Sequence, residues 1–397
     1  MRSRFFLLCI CLASTSFLGA QTTYGKGRVH DSILVSGTNN ETFALYLPKS
    51  YSEQRLSPIV FIYEPLGRGA VGLQPFIAAS EKYGLMLVCS NDSRNGPYER
   101  NFVIANNLFA HVFSHFNIKD DEIYAAGFSG GSRLASAIAS LTNRFTGVIG
   151  CGAGFSGLQE HMPSAQNYAY VGLCGNSDMN YREMLADKDF LSLIKFNSTL
   201  FTFAGDHNWP PQEEISRAFD WLYLQKIKKK NPVPLDTVLE YHQADCSLLQ
   251  QFKKSGDLLF VAEQYERILK NYERFVPIDS LRAEYLSFKK SLAYKKKAAA
   301  LEKALKVEEK FADKFRARFT EEFEKMGKAD FLWWETELGK LKSLRNTDDV
   351  EMQKMVTRVE YDLFVRAFVL KNMLLQTQNT ERVALLGRLL QIIHPKK

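Results

Sequence analysis

The sequence predicts an α/β domain, built on a mostly parallel sheet with helices on both faces, followed by an all-α domain. Three observations carry this. First, 46% of the 397 residues are apolar and 24% charged. That composition is globular and excludes a disordered chain, a collagen-like repeat or a small disulfide scaffold. Second, 20 of the 24 glycines lie in residues 1–228, and only Gly256, Gly327, Gly339 and Gly387 follow. Turn-rich chemistry is therefore confined to the first part. Third, charge divides at the same place: residues 1–228 carry 19 Lys/Arg and 19 Asp/Glu, residues 229–397 carry 32 and 25. A single core rarely grows past ~250–300 residues, so two domains are expected, at 21–228 and 229–397. The basic excess of the second is interleaved with Glu and Asp at helical spacing, which describes a solvated surface and excludes nucleic acid as the expected partner.

The chain opens with Met1-Arg2-Ser3-Arg4, an apolar run from Phe5 to Leu18, then Gly19-Ala20-Gln21. Two positives, a short greasy stretch and a small residue before a polar one make an export signal over 1–20, cleaved after Ala20. The run falls short of the ~20 residues that span a bilayer, and no other segment is apolar enough to do so. A secreted or periplasmic protein is expected. Four cysteines remain: Cys89, Cys151, Cys174 and Cys246. They either pair as disulfides, in one of three ways, or stay as buried thiols, because three of them lie in apolar strand-like runs. No spacing suggests a metal site.

Eight strands are expected: Ser32–Val35, Thr42–Leu47, Ile59–Tyr63, Leu85–Ser90, Ile123–Ala126, Gly147–Cys151, Ala169–Cys174 and Leu200–Ala204. Several are continuous apolar runs, as parallel strands covered on both faces require. The first two read as a hairpin. Helical patterns over Leu73–Tyr83, Tyr98–Phe116, Ser132–Thr142, Tyr181–Asp189 and Glu213–Lys226 alternate with the rest. Ligands in such sheets bind beyond the carboxyl ends of strands, so the chemistry belongs there.

One strand ends in Gly127-Phe128-Ser129-Gly130-Gly131 and a helix follows. A G-x-S-x-G between strand and helix is a nucleophile elbow, whose tight turn needs nearly side-chain-free neighbours on both sides. A serine needs a base, and the base an orienting acid. Among the histidines after Ser129, His161 lies in a polar loop and His242 beyond the domain, whereas His207 follows the last strand in Gly205-Asp206-His207-Asn208-Trp209-Pro210. Asp178, in the loop after the preceding strand, has the chain order for the acid. Asp206 competes, but as a sequence neighbour it struggles to reach the imidazole edge. Gly130 N–H and one donor from Glu64-Pro65-Leu66-Gly67-Arg68-Gly69 should form the oxyanion hole, Arg68 first, with Leu66 or Gly67 as alternatives. Trp209 either covers the base, lines the acyl or alcohol pocket, or simply packs.

These residues resemble the α/β-hydrolase superfamily, and more narrowly the secreted polyhydroxybutyrate-depolymerase and feruloyl-esterase type. The marks are Gly127-Phe128-Ser129-Gly130-Gly131, Gly175-Asn176-Ser177-Asp178-Met179-Asn180, and the segment around His207, similar to the Gly-x-His-x-Trp-Pro of those esterases. The resemblance covers residues 30–228 and implies ester hydrolysis through an acyl-serine, with no cofactor. Leu66-Gly67 stands where such enzymes often carry His-Gly. A polysaccharide or polyester ester, a small ester or a peptide all remain open as substrate. Short acyl chains are expected, since no lid insertion separates the catalytic strands. A non-catalytic scaffold is the competing class.

Lys226–Pro234 breaks the last helix and reads as a linker. Helical blocks follow over Leu235–Lys254, Leu258–Tyr272, Ser280–Gly327, Ala329–Leu344, Asp349–Leu375 and Thr380–Ile393. Phe311, Phe315, Phe319 and Phe323 recur every fourth residue and form one apolar face for a neighbouring helix. Gly256-Asp257 with Ala262, Tyr265, Leu269 and Tyr272 resembles half of a tetratricopeptide-type helix pair, but no clean period emerges. Binding a protein partner, or dimerisation, is the role expected of this region.

Overall fold

A computed structural model describes residues 24–163, 166–376 and 379–394. The expected export signal over 1–20 lies outside the described residues. The sheet has eight strands: β1 (Val29–Leu34), β2 (Thr42–Tyr46), β3 (Ser57–Tyr63), β4 (Met86–Ser90), β5 (Ile118–Phe128), β6 (Gly147–Cys151), β7 (Ala169–Gly175) and β8 (Ser198–Phe203). Their spatial order is β1-β2-β4-β3-β5-β6-β7-β8. Strand β2 pairs antiparallel with β1 and β4, and every other pairing is parallel. Parallel neighbours need crossovers, and the helices supply them: α1 (Gly69–Leu73), α2 (Ile77–Tyr83), α3 (Tyr98–His115), α4 (Gly130–Thr142), α5 (Tyr181–Leu193) and α6 (Gln212–Ile227).

The two-residue repeat of a strand sorts its side chains into two cores. Phe43, Leu45, Ile59, Phe61 and Val88 meet Leu108 and Val112 of α3 and Leu134 and Ile138 of α4. Ala44, Val60, Ile62, Leu87 and Cys89 face the other way, onto Phe76 just before α2, Ala79 of α2, and Ile215, Phe219 and Leu222 of α6. Both faces are dry, which is why these strands read as unbroken apolar runs. All four described cysteines are free, and Cys89, Cys151 and Cys174 are buried in strands.

The helical region comprises α7 (Leu235–Ser255), α8 (Leu258–Tyr272), α9 (Asp279–Lys290), α10 (Leu292–Phe319), α11 (Phe331–Ser343), α12 (Val350–Gln376) and α13 (Thr380–Ile393). The block expected to run unbroken over Ser280–Gly327 is divided at Ser291, and a π turn over Thr320–Glu324 continues α10. Ser291 is extended (ψ 143°), and its side chain accepts from the Tyr294 N–H. A serine that caps the next helix competes with continuing the previous one. Phe315, Phe319 and Phe323 are buried with Trp334, Val356 and Leu363, so the four-residue phenylalanine row packs against helices.

The helical region is anchored along the sheet edge. Thr202 of β8 donates to Glu263 of α8 at 2.7 Å, and Arg267 donates to the Leu200 carbonyl at 3.0 Å. Deeper in, the fully buried Arg358 of α12 donates to Glu308 of α10 and, at 2.9 Å, to the carbonyl of Asn176. Among the described residues no helix is long and apolar enough to cross a membrane.

Candidate active site

The turn between β5 and α4 holds Ser129 at φ 54°, ψ −122°, a conformation that costs a non-glycine residue about 1–3 kcal/mol. It persists because its surroundings fix it. Ser129 N–H donates to the Cys151 carbonyl at 2.8 Å. A Cβ on Gly127 would overlap the Gly131 carbonyl, and one on Gly131 would overlap the Tyr63 carbonyl. The two outer glycines of the motif are thus the condition for α4 to start directly against β3 and β5. Ser129 consequently stands at the carboxyl end of the sheet with the first turn of α4, and its free N–H groups, beneath it.

Asp178 lies in the turn after β7, with no exposed surface. Its Oδ1 accepts from the Asn180 N–H at 2.8 Å. Both carboxylate oxygens lie 2.9 Å from His207 Nδ1. Burial pushes the Asp178 carboxyl above its ordinary value, opposed by the hydrogen bond from His207. The loop after β8 carries His207, whose Nε2 is 3.0 Å from Ser129 Oγ. A nitrogen facing two carboxylate oxygens is the donor, so Nδ1 carries the proton and Nε2 accepts from the serine hydroxyl. Asp206 instead accepts from the Asn208 side chain and is exposed. His161 is buried beside Ser156 and Tyr98, and His242 sits on α7 against Tyr272.

The fold is that of an α/β-hydrolase. No protein-family model matches the chain, and no curated protein matches it. Solved structures do. The chain is similar to S-formylglutathione hydrolase (FrmB) from Staphylococcus aureus at 18% identity and TM-score 0.41, over 50% of this chain and 98% of that one. It is similar to FphF, a fluorophosphonate-binding serine hydrolase of Staphylococcus aureus, at 17% identity and TM-score 0.40, over 50% and 99%. It is also similar to a feruloyl esterase module from Clostridium thermocellum at 12% identity and TM-score 0.41, over 49% and 86%.

The expected role of Arg68 in the oxyanion hole is corrected by its neighbour Glu64. That carboxylate is buried and therefore needs donors. It takes the N–H of Leu66 at 2.8 Å and of Arg68 at 3.0 Å, and pairs with the Arg68 guanidinium at 2.5 Å. Gly67 N–H donates to the Glu64 carbonyl at 3.1 Å. All three donors expected of this loop are thereby occupied. Gly130 N–H, at the first position of α4, has no intrahelical acceptor. Beside it sits Asn95, from the loop after β4: a Cβ on Gly130 would overlap its side-chain Oδ1. Asn95 lay in a polar loop and had no sequence signal.

Trp209 packs instead of lining the cleft. Its ring lies 5.2 Å from Phe128 and 5.8 Å from Phe76, and Phe128 in turn lies 4.7 Å from the His207 ring. The cleft over Ser129 measures about 1010 Å³. One wall is the Ser93–Tyr98 loop and the other is α10 with α12. Tyr361 of α12 lies 5.8 Å from the His207 ring, so the helical region reaches the site itself. Among the described residues no cluster of three or more His, Cys, Asp or Glu side chains could hold a metal ion.

Proposed function

We propose that this protein is an exported serine hydrolase that cleaves carboxylic esters through an acyl-serine intermediate. One observation carries the reading: a hydroxyl on a strained turn, an imidazole 3.0 Å away, and a buried carboxylate 2.9 Å behind it. In this reading His207 Nε2 removes the Ser129 proton as the oxygen attacks the ester carbonyl. Asp178 orients the imidazole and stabilises its charged form. The tetrahedral oxyanion meets the Gly130 N–H at the start of α4. His207 then protonates the leaving alcohol, and water repeats the sequence from the acyl-enzyme.

A fluorophosphonate probe tests this. Wild-type protein labels stoichiometrically, and Ser129→Ala abolishes labelling together with p-nitrophenyl acetate hydrolysis. Folded wild-type protein that stays unlabelled contradicts the reading.

A further inference from the structure

The catalytic strands carry no lid insertion, which at the level of sequence favours short acyl chains. The structure supplies a wall from elsewhere. Helix α12 passes His207 at Tyr361 and continues along the cleft for 12 further residues to Met373, about 18 Å at 1.5 Å per residue. Val365, Val369 and Met373 stand one turn apart on its cleft-facing side. Val369 is 46% exposed and Met373 60%. Apolar side chains left open in a row, on the wall of a cleft that begins at a nucleophile, are a feature to explain.

The charges around this row are largely spoken for. Arg358 pairs with Glu308, Arg366 with Asp362, and Arg133 with Glu183. Arg94 and Arg316 are exposed to water at the same cleft. The α12 row is thus the part of the wall that water satisfies least, and an apolar ligand would relieve it.

We propose that Val365, Val369 and Met373 form the binding wall for an extended alkyl or aryl arm of the ester, so that the helical region selects the substrate. This rests on the serine-hydrolase reading and refines its substrate class to esters with a bulky or long apolar arm. The row is continuous with the Ser129 site, so the occupant is the substrate itself. The large cleft fits an arm of that kind better than an acetyl group.

The test has two arms. In the first, p-nitrophenyl acetate and decanoate are compared in wild type and in Val369→Asp/Met373→Asp, whose side chains are exposed and tolerate charge. The wild type prefers decanoate in kcat/KM by about tenfold or more, as partial burial of several methylenes implies. The double variant loses that preference, its kcat/KM ratio of decanoate to acetate falling about tenfold towards one. Val369→Trp, which adds bulk without charge, shifts the preference to shorter chains. In the second arm, methyl propyl ketone and methyl nonyl ketone are titrated into Ser129→Ala protein by calorimetry. The longer ketone binds tighter, and the double substitution removes the difference. Equal binding of both ketones, or a preference unchanged in the double variant, overturns the proposal. Ketone discrimination without turnover of any ester leaves the wall standing and defeats the hydrolase reading instead.

Discussion

Asp187 shows how a single carboxyl can set the pH response of the fold. One of its oxygens is buried without a hydrogen-bond partner, close against Gly154. Burial, with help from Glu183, pushes its pKa up to about 7. In the unfolded chain the same group loses its proton near 4. Between those values the folded state holds more protons than the unfolded state, so stability falls as pH rises. Asp187→Asn should remove that part of the slope and raise stability by about 2 kcal/mol above pH ~7, allowing for screening. Melting temperatures at about pH 5 and about pH 8 check this: the variant's should differ less than the wild type's. Ser129, Asp178 and His207 were legible because each follows a strand in an order that few alternatives share. The donor loop was not. Which acceptor an N–H meets depends on Glu64 folding back over its own turn, and spacing carries no trace of that.

Among the elements, the elbow leaves the least room for change. Gly131→Ala places a methyl against the Tyr63 carbonyl, backbone that cannot rotate away. A loss of about 3 kcal/mol or more is expected, read by chemical denaturation. Stability within about 0.5 kcal/mol of wild type would show that β3 and α4 can separate more easily than their packing implies. The eight strands could be read from sequence because burial on both faces leaves long apolar runs between glycine-rich turns. The break at Ser291 could not. Lys289, Lys290 and Leu292 around it all suit a helix, and the cap is one hydroxyl bonded to one N–H. The contribution of α12 to the cleft was equally hidden, because Tyr361 lies 154 residues beyond His207 and no local pattern links them.

For the whole molecule, the join between sheet and helices turns on Arg358. Its guanidinium is fully buried, donates to Glu308 through Nε at 2.8 Å, and holds the carbonyl of Asn176, two residues before Asp178. Arg358→Ala leaves Glu308 buried and unpaired and should cost about 3–5 kcal/mol. Replacing both partners, Arg358→Met with Glu308→Leu, should recover most of that stability. If the bond to Asn176 steadies the Asp178 loop, the double variant remains slower than wild type in ester turnover despite its regained stability. Full recovery of both properties would make the pair purely structural. Regarded this way, the helical region is less an appendage than one half of the cleft.

The most direct test of the central claim is to trap the acyl-enzyme. Mixing the protein with a p-nitrophenyl ester, quenching in acid and mapping peptides by mass should place the acyl group on Ser129, and His207→Ala should prevent its formation. Ester turnover with Ser129 unmodified, or an acyl group carried on another residue, would contradict the account.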